Sequence, residues 1–225
     1  NTCFCFCEWW NLLYILGAYF RCSFFNFGNS IPHFKNLLFL FVNSTTKFNR
    51  YRFKLITEKR LFVTLLTAIF YCVKQNQKVH VAESCTGGQL SAILSQLPGS
   101  SQWFALGIVS YSNYSKRKLL GVSEAVLSEK GAVSSFVANE MVKGLSEFAS
   151  REGIYISITG IAGPTGASVG KPLGLVYFSC LRSDSILKSK QFFWGDRSTI
   201  QRLAVYWALI CICEALTSNN IKNRV

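Results

Sequence analysis

The sequence predicts an α/β fold: a three-layer α/β/α sandwich around a mixed sheet. Three observations carry that prediction. From Ile56 onward, short alternating or continuous apolar runs interleave with stretches of 3.6-residue period. Glycine-rich junctions at 83–88 and 159–166 directly follow two of the strand candidates, where open α/β sheets place their ligand-facing turns. Half of the 225 residues are hydrophobic and 16% are charged, which allows a substantial buried core and excludes disorder of the whole chain. No apolar run reaches the roughly 18 residues that argue for a membrane span.

Taken in order, residues 61–73 read as a helix that is apolar nearly all round and hence packed on both sides. Residues 78–82 alternate as a short strand and run into ESCTGG (83–88). A helix follows, with Leu90, Ile93, Leu94 and Leu97 at i, i+3, i+4 and i+7, closed by Pro98 and Gly99. Residues 103–111 read as a strand. Ser134 is placed to cap a helix whose inward stripe is Val137, Met141, Leu145 and Phe148. Strands are predicted over 154–159, 173–180 and 186–194. Ser198 opens a last helix carrying Leu203, Trp207 and Ile210. Cysteines 72, 85, 180, 211 and 213 mostly fall in apolar elements, as reduced core residues of a cytosolic protein do.

Residues 1–55 differ from the rest. They hold 11 of the 19 Phe, four of the nine Cys and a single acid, Glu8, and their hydrophobic residues cluster without a sustained period. Cys3, Cys5 and Cys7 lack the spacing of a zinc site. We read 1–55 as an atypical hydrophobic and basic extension rather than a functional domain, with a membrane-surface anchor as the competing reading. The functional domain is then 56–220. A start at Asn1 suits a fragment or an over-extended reading frame.

A net charge of +13 draws anions, nucleic acid among them. Outside 47–60 and 116–118, however, the cations are scattered, and a solvated basic surface is the preferred reading over a nucleic-acid interface. Only two histidines occur, His33 and His80, which excludes a two-histidine zinc motif.

Four segments carry candidate chemistry. At 83–88, Ser84 and Thr86 offer hydroxyls while Gly87 and Gly88 let backbone approach a ligand, against the plainer reading of a capped turn. The loop 159–166 (TGIAGPTG) fails as a phosphate-binding P-loop. Gly170 and Lys171 would need Gly at 165 and Ser or Thr at 172, where Thr165 and Pro172 stand. Around Lys116, a hydrolytic site without a well-placed histidine would draw on lysine as base. Lowering its pKa to about 7–8 takes roughly 3–5 kcal/mol of burial or like-charge repulsion. A solvated basic helix start is the plainer alternative. At 194–197, Asp196 is placed to orient Arg197, whose planar fork suits phosphate.

In order along the chain, AESCTGG (82–88), PGSS (98–101), YSN (111–113) followed by Lys116, LLGV (119–122), GAVS (131–134), TGIAGP (159–164), KPLGLV (171–176) and GDR (195–197) resemble the CinA C-terminal domain family, the nicotinamide-nucleotide amidases. Each match is weak alone, but eight in the family's order over about 58–216 form a specific pattern. The resemblance implies a cytoplasmic enzyme that hydrolyses the carboxamide of nicotinamide mononucleotide to nicotinic acid mononucleotide and ammonia. It implies neither metal nor organic cofactor, a small-molecule substrate as partner, and no membrane; homo-oligomerisation is left open.

The family's proposed catalytic group maps onto Ser101 as nucleophile, Lys116 as its base and Tyr111 as relay; the choice of Ser101 over Ser100 rests on the resemblance alone. Ser84, Thr86, Gly87, Gly88, Thr159, Gly160, Gly163 and Arg197 map onto binding of phosphate and ribose. Ala167 and Ser168 stand where the family usually has further glycine, which stiffens that loop. The competing class is a non-catalytic nucleotide-binding or competence- and stress-linked paralogue.

Overall fold

The computed structural model describes residues 58–149 and 152–218. The reading of 1–55 as an extension lies outside the described residues. Every element described below lies within the second of the chain's two compact units, which begins at Tyr51.

A five-stranded mixed sheet forms the middle layer, with β1 (Val79–Glu83), β2 (Phe104–Val109), β3 (Ile154–Gly160), β4 (Leu175–Arg182) and β5 (Ser185–Phe192) in the order β2-β1-β3-β4-β5. β1 runs parallel to both of its neighbours, whereas β3–β4 and β4–β5 are antiparallel. Helices α1 (Glu58–Lys74), α2 (Gln89–Ser95) and α6 (Arg197–Thr217) cover one face; α3 (Asn113–Leu120), α4 (Glu124–Lys130) and α5 (Ser135–Ala149) cover the other. The alternation of the strands explains how one sheet feeds both layers. Val79, Val81, Ile154, Ile156 and Ile158 point into the first cluster, and Ala82 and Tyr155 into the second. The predicted three-layer sandwich and mixed sheet are therefore what the chain forms.

Several elements differ from their sequence-based expectation. α1 buries one side only, because Phe70 and Val73 stand 40% and 36% exposed on its outer surface. Trp103 belongs to the core rather than to β2, and its indole N–H donates to Leu94 O at 2.8 Å. Ser134 does cap α5, accepting from Val137 N at 3.2 Å. Phe148, however, falls outside the buried stripe of Val137, Met141 and Leu145 and is 58% exposed. α6 begins at Arg197 with Asp196 as its cap, so Ser198 is already helical. α4 was not anticipated; seven residues behind a Ser123 cap give too short a pattern to read.

α6 is 21 residues long and apolar on all sides, by length and composition enough to cross a membrane, yet 72% of its most apolar stretch is buried within the protein. It packs against α1, β4 and β3 as a core helix. The five cysteines of the described residues are free and buried, as their apolar surroundings predicted.

Topology sets the site. From β1 the chain crosses one face through α2 to reach β2, then crosses the other face through α3–α5 to reach β3. The crossovers after β1 and after β2 therefore lie on opposite faces of the sheet, the arrangement that leaves a crevice beyond the strands' carboxyl ends in open α/β folds.

Candidate active site

Three strand ends and one helix start meet at that crevice. β1 delivers Ser84 and the turn 85–88, β2 delivers Ser110, Tyr111 and the start of α3, and β3 delivers the loop 161–164. The first turn of α6 delivers Arg197.

Lys116 sits four residues before Leu120 on α3, so both fall on the helix face that turns inward. Its side chain is 1% exposed, the largest fully buried side chain among the described residues. Nζ lies 2.8 Å from Ser84 Oγ, 2.7 Å from Ser110 O and 3.3 Å from Tyr111 O. Burial lowers its pKa from the ordinary 10.5 to about 8, against a smaller upward pull from Cys85. A neutral amine has two hydrogens and one lone pair. The two carbonyls take the hydrogens, which leaves the lone pair for the Ser84 hydroxyl. The solvated basic helix start is thus the fate of Arg117 and Lys118, not of Lys116.

Ser101 lies elsewhere. It occupies a 3₁₀ turn (Ser100–Gln102) before β2, while Lys116 follows β2. The strand's six residues separate them by about 20 Å. Ser100 shares that turn and that end of the sheet. The hydroxyl held by the buried lysine is Ser84, a residue expected only to bind substrate.

Tyr111 takes part through different atoms from those expected. Its carbonyl accepts from Lys116, while its phenol lies 2.9 Å from Arg197 Nη2, which donates to it. Arg197 Nη1 donates to Gly163 O at 2.7 Å, so one guanidinium ties the β2 end to the loop after β3. Asp196 does not orient that guanidinium. Its carboxylate accepts from Thr199 N at 2.8 Å and from Ser198 Oγ at 3.0 Å, and hydrogen bonding from the Thr199 side chain first, then from the Thr199 backbone and Ser198, holds its pKa below the usual value.

The remaining predicted binding residues divide. Thr159 is fully buried and donates to Ala132 O at 2.7 Å, which fixes the loop before α5 rather than facing a ligand. Gly160 is a packing residue, since a Cβ there would stand 2.7 Å from Val176 Cγ2. Thr86 is fully buried at the crevice, and its hydroxyl has no hydrogen-bond partner among the described residues. Gly87 and Gly88 take φ of +62° and +96°, which lets the chain reverse from strand into helix.

Glu83 was read as part of the motif but given no role. Its fully buried carboxylate accepts from Gly88 N, Leu90 N and Ser91 N at 3.1, 3.1 and 2.8 Å, and from Ser91 Oγ at 2.7 Å. Gly88 at the helix cap has no side chain to take those amides, and Glu83 is the one acid among residues 82–91, which was the legible signal. The consequence is functional: a carboxylate already holds the start of α2, so those amides are not donors for a substrate phosphate. The same residue's carbonyl accepts from Ser110 N at 2.8 Å, which sets Ser110 O opposite Lys116.

Cys85, beside Ser84, is not a competing nucleophile. Burial pushes its thiol up to about 12, against smaller opposing effects, so it stays protonated near neutrality. No group of three or more metal-ligating side chains occurs among the described residues.

A nicotinamide-nucleotide amidohydrolase (PncC) of Enterobacter agglomerans is 44% identical over 132 residues, which are 58% of this chain and 80% of that protein. A CinA-like protein of Syntrophomonas wolfei is 43% identical over 148 residues, 65% of this chain but 35% of its own greater length. The crystal structure of a competence/damage-inducible protein from Agrobacterium tumefaciens superposes with a TM-score of 0.68 at 32% identity, covering 73% of this chain and 99% of that one. The model of the CinA C-terminal domain matches residues 65–216, the span that holds the whole sheet, helices α2–α5, most of α1 and α6, and the crevice, and the chain belongs to that family.

Proposed function

We propose that the chain hydrolyses the carboxamide of nicotinamide mononucleotide, giving nicotinic acid mononucleotide and ammonia in the cytoplasm, and that Ser84, rather than Ser101, is the nucleophile. The observation that carries this reading is the 2.8 Å contact between Ser84 Oγ and the buried Nζ of Lys116. The relatives named as amidohydrolases of nicotinamide nucleotides supply the substrate class.

In the proposed course, neutral Lys116 takes the Ser84 proton as Oγ bonds to the carboxamide carbon. The tetrahedral adduct collapses, the C–N bond breaks, and the proton on Lys116 leaves with ammonia. Water then attacks the acyl ester, giving one proton to Lys116 on attack, and that proton returns to Ser84 Oγ as the acid departs. Arg197, exposed at the rim and anchored by Gly163 and Tyr111, is the cation for the substrate phosphate. Residues 56–220 carry all of these groups. No nucleic acid or membrane enters the reading.

Ammonia release from nicotinamide mononucleotide by the full chain tests it. Wild type turns over; Ser84→Ala and Lys116→Ala each lose at least about 10³-fold in kcat; Ser101→Ala stays within about threefold. Retained turnover in Ser84→Ala, with loss in Ser101→Ala, overturns the assignment of the nucleophile. A folded wild type that binds the mononucleotide without releasing ammonia favours the binding paralogue.

A further inference from the structure

Every buried main-chain N–H needs an acceptor in the fold or in a ligand, and the turn after Ser84 can be counted completely. Ser84 N donates to Ile158 O at 3.0 Å, which continues the β1–β3 ladder. Gly87 N donates to Ser84 O and Gln89 N to Thr86 O, at 3.1 and 3.2 Å. Gly88 N, Leu90 N and Ser91 N are held by the Glu83 carboxylate, and Ala92 N by Gly88 O. Two donors remain. The N–H groups of Cys85 and Thr86 donate to no oxygen among the described residues, and the Cys85 N–H acts otherwise only to pull its own thiol's pKa down a little. Both residues are buried, and the Thr86 hydroxyl is the third group without a partner.

These three donors belong to the two residues that follow the proposed nucleophile. The rest of the turn is fully bonded, so the shortage is local to this point. Glu83 deepens the contrast, because it fills the helix start and leaves no other vacant amide for a developing anion. Leaving a buried hydroxyl unpaired is destabilising, a cost the resting fold bears at the residue after Cys85.

We infer that the N–H groups of Cys85 and Thr86, with the Thr86 hydroxyl, form the oxyanion hole of the reaction. The inference rests on Ser84 being the nucleophile. When Ser84 Oγ bonds to the carboxamide carbon and its proton passes to Lys116, the carbonyl π pair becomes a negative oxygen. The three donors receive that oxygen, and release it as the C=O bond re-forms and the C–N bond breaks. Thr86 thereby changes role from a ligand for phosphate or ribose to a catalytic residue.

Thr86→Val and Thr86→Ser in the full chain provide the test, assayed with nicotinamide mononucleotide and with its analogue bearing an aldehyde in place of the carboxamide. We expect Thr86→Val to lower kcat about 10²-fold with KM within about threefold, and Thr86→Ser to restore most of it. Its melting temperature should not fall, because the lost hydroxyl has no partner in the resting protein. The aldehyde should form a hemiacetal on Ser84, with its oxygen within hydrogen-bond distance of Cys85 N and Thr86 N in a crystal structure of the adduct. A Thr86→Val enzyme with unchanged kcat, or a KM increase at constant kcat, overturns the Thr86 hydroxyl's role. A hemiacetal oxygen pointing to Lys116 or Tyr111 overturns that of the amides. Full turnover by Ser84→Ala removes the nucleophile itself, and the hole falls with it; loss in Ser84→Ala beside an unaffected Thr86→Val removes the Thr86 contribution alone.

Discussion

At Lys116 the demands of folding and of catalysis oppose one another. Moving its pKa from 10.5 to about 8 by burial means that the protonated folded form is disfavoured by about 3 kcal/mol. Because the folded value lies below the unfolded one, this destabilisation is fully present below about pH 8 and fades as the pH rises towards 10.5. Wild-type stability should therefore climb between those limits, whereas Lys116→Met should lack the climb. Near neutral pH the variant should be at least as stable as wild type while being inactive. Thermal melts at about pH 7 and pH 9.5 check this, and parallel changes in the two proteins count against a depressed lysine. The same shift predicts that kcat/KM rises with pH to a plateau beyond about 8, with roughly a tenth of the maximum near pH 7. At this scale the sequence showed that a lysine was the available base. It did not show the neighbour, because the choice among Ser84, Ser100 and Ser101 depends on contacts made across 32 residues of chain in the case of Ser84.

At the scale of elements, α3 holds Lys116 in place because α5 presses on its end. A Cβ on Gly144 would stand 1.8 Å from Leu120 O, so the two helices meet backbone to backbone. Elsewhere in a helix, Gly→Ala stabilises by up to about 1 kcal/mol. Here the clash with a carbonyl decides the sign, and Gly144→Ala should destabilise by about 2–3 kcal/mol. One turn back along α3, Lys116 shifts with it, so kcat should fall as well. Urea unfolding together with ammonia release checks both; a variant that gains stability contradicts the close approach. Periodicity foretold α5, three of the four residues of its stripe and the cap at Ser134, since those are properties of one helix. It could not foretell the glycine contact, which involves two helices that meet only after the sheet has ordered them.

For the whole molecule, composition places the boundary of the functional domain at 55/56. The family match, the sheet and the crevice all lie within residues 65–216. Removing residues 1–55 should therefore leave a folded domain with kcat and melting temperature close to those of the full chain. Circular dichroism and ammonia release compare the two, and an insoluble or inactive 56–225 would show that the leading segment is part of the domain. β5 closes one end of the sheet with Lys188 and Lys190 both exposed, charges that discourage edge-to-edge pairing. The outer strand at the other end, β2, carries none.

The sequence by itself determined the layering, the mixed character of the sheet, the buried cysteines and the family, because hydrophobic period and ordered motifs are local and survive without coordinates. Tertiary structure decided which side chains share the crevice. Period tells which face of a strand is buried; it does not tell which end of the sheet a given turn occupies. Ser101 is nearer to Lys116 in sequence than Ser84 is, yet β2 lies between them and carries them to opposite ends. Ser84 reaches Lys116 because parallel pairing of β1 with β2 brings two carboxyl ends together. The carboxylate of Glu83, the vacant amides of Cys85 and Thr86, and the base itself follow from that one juxtaposition.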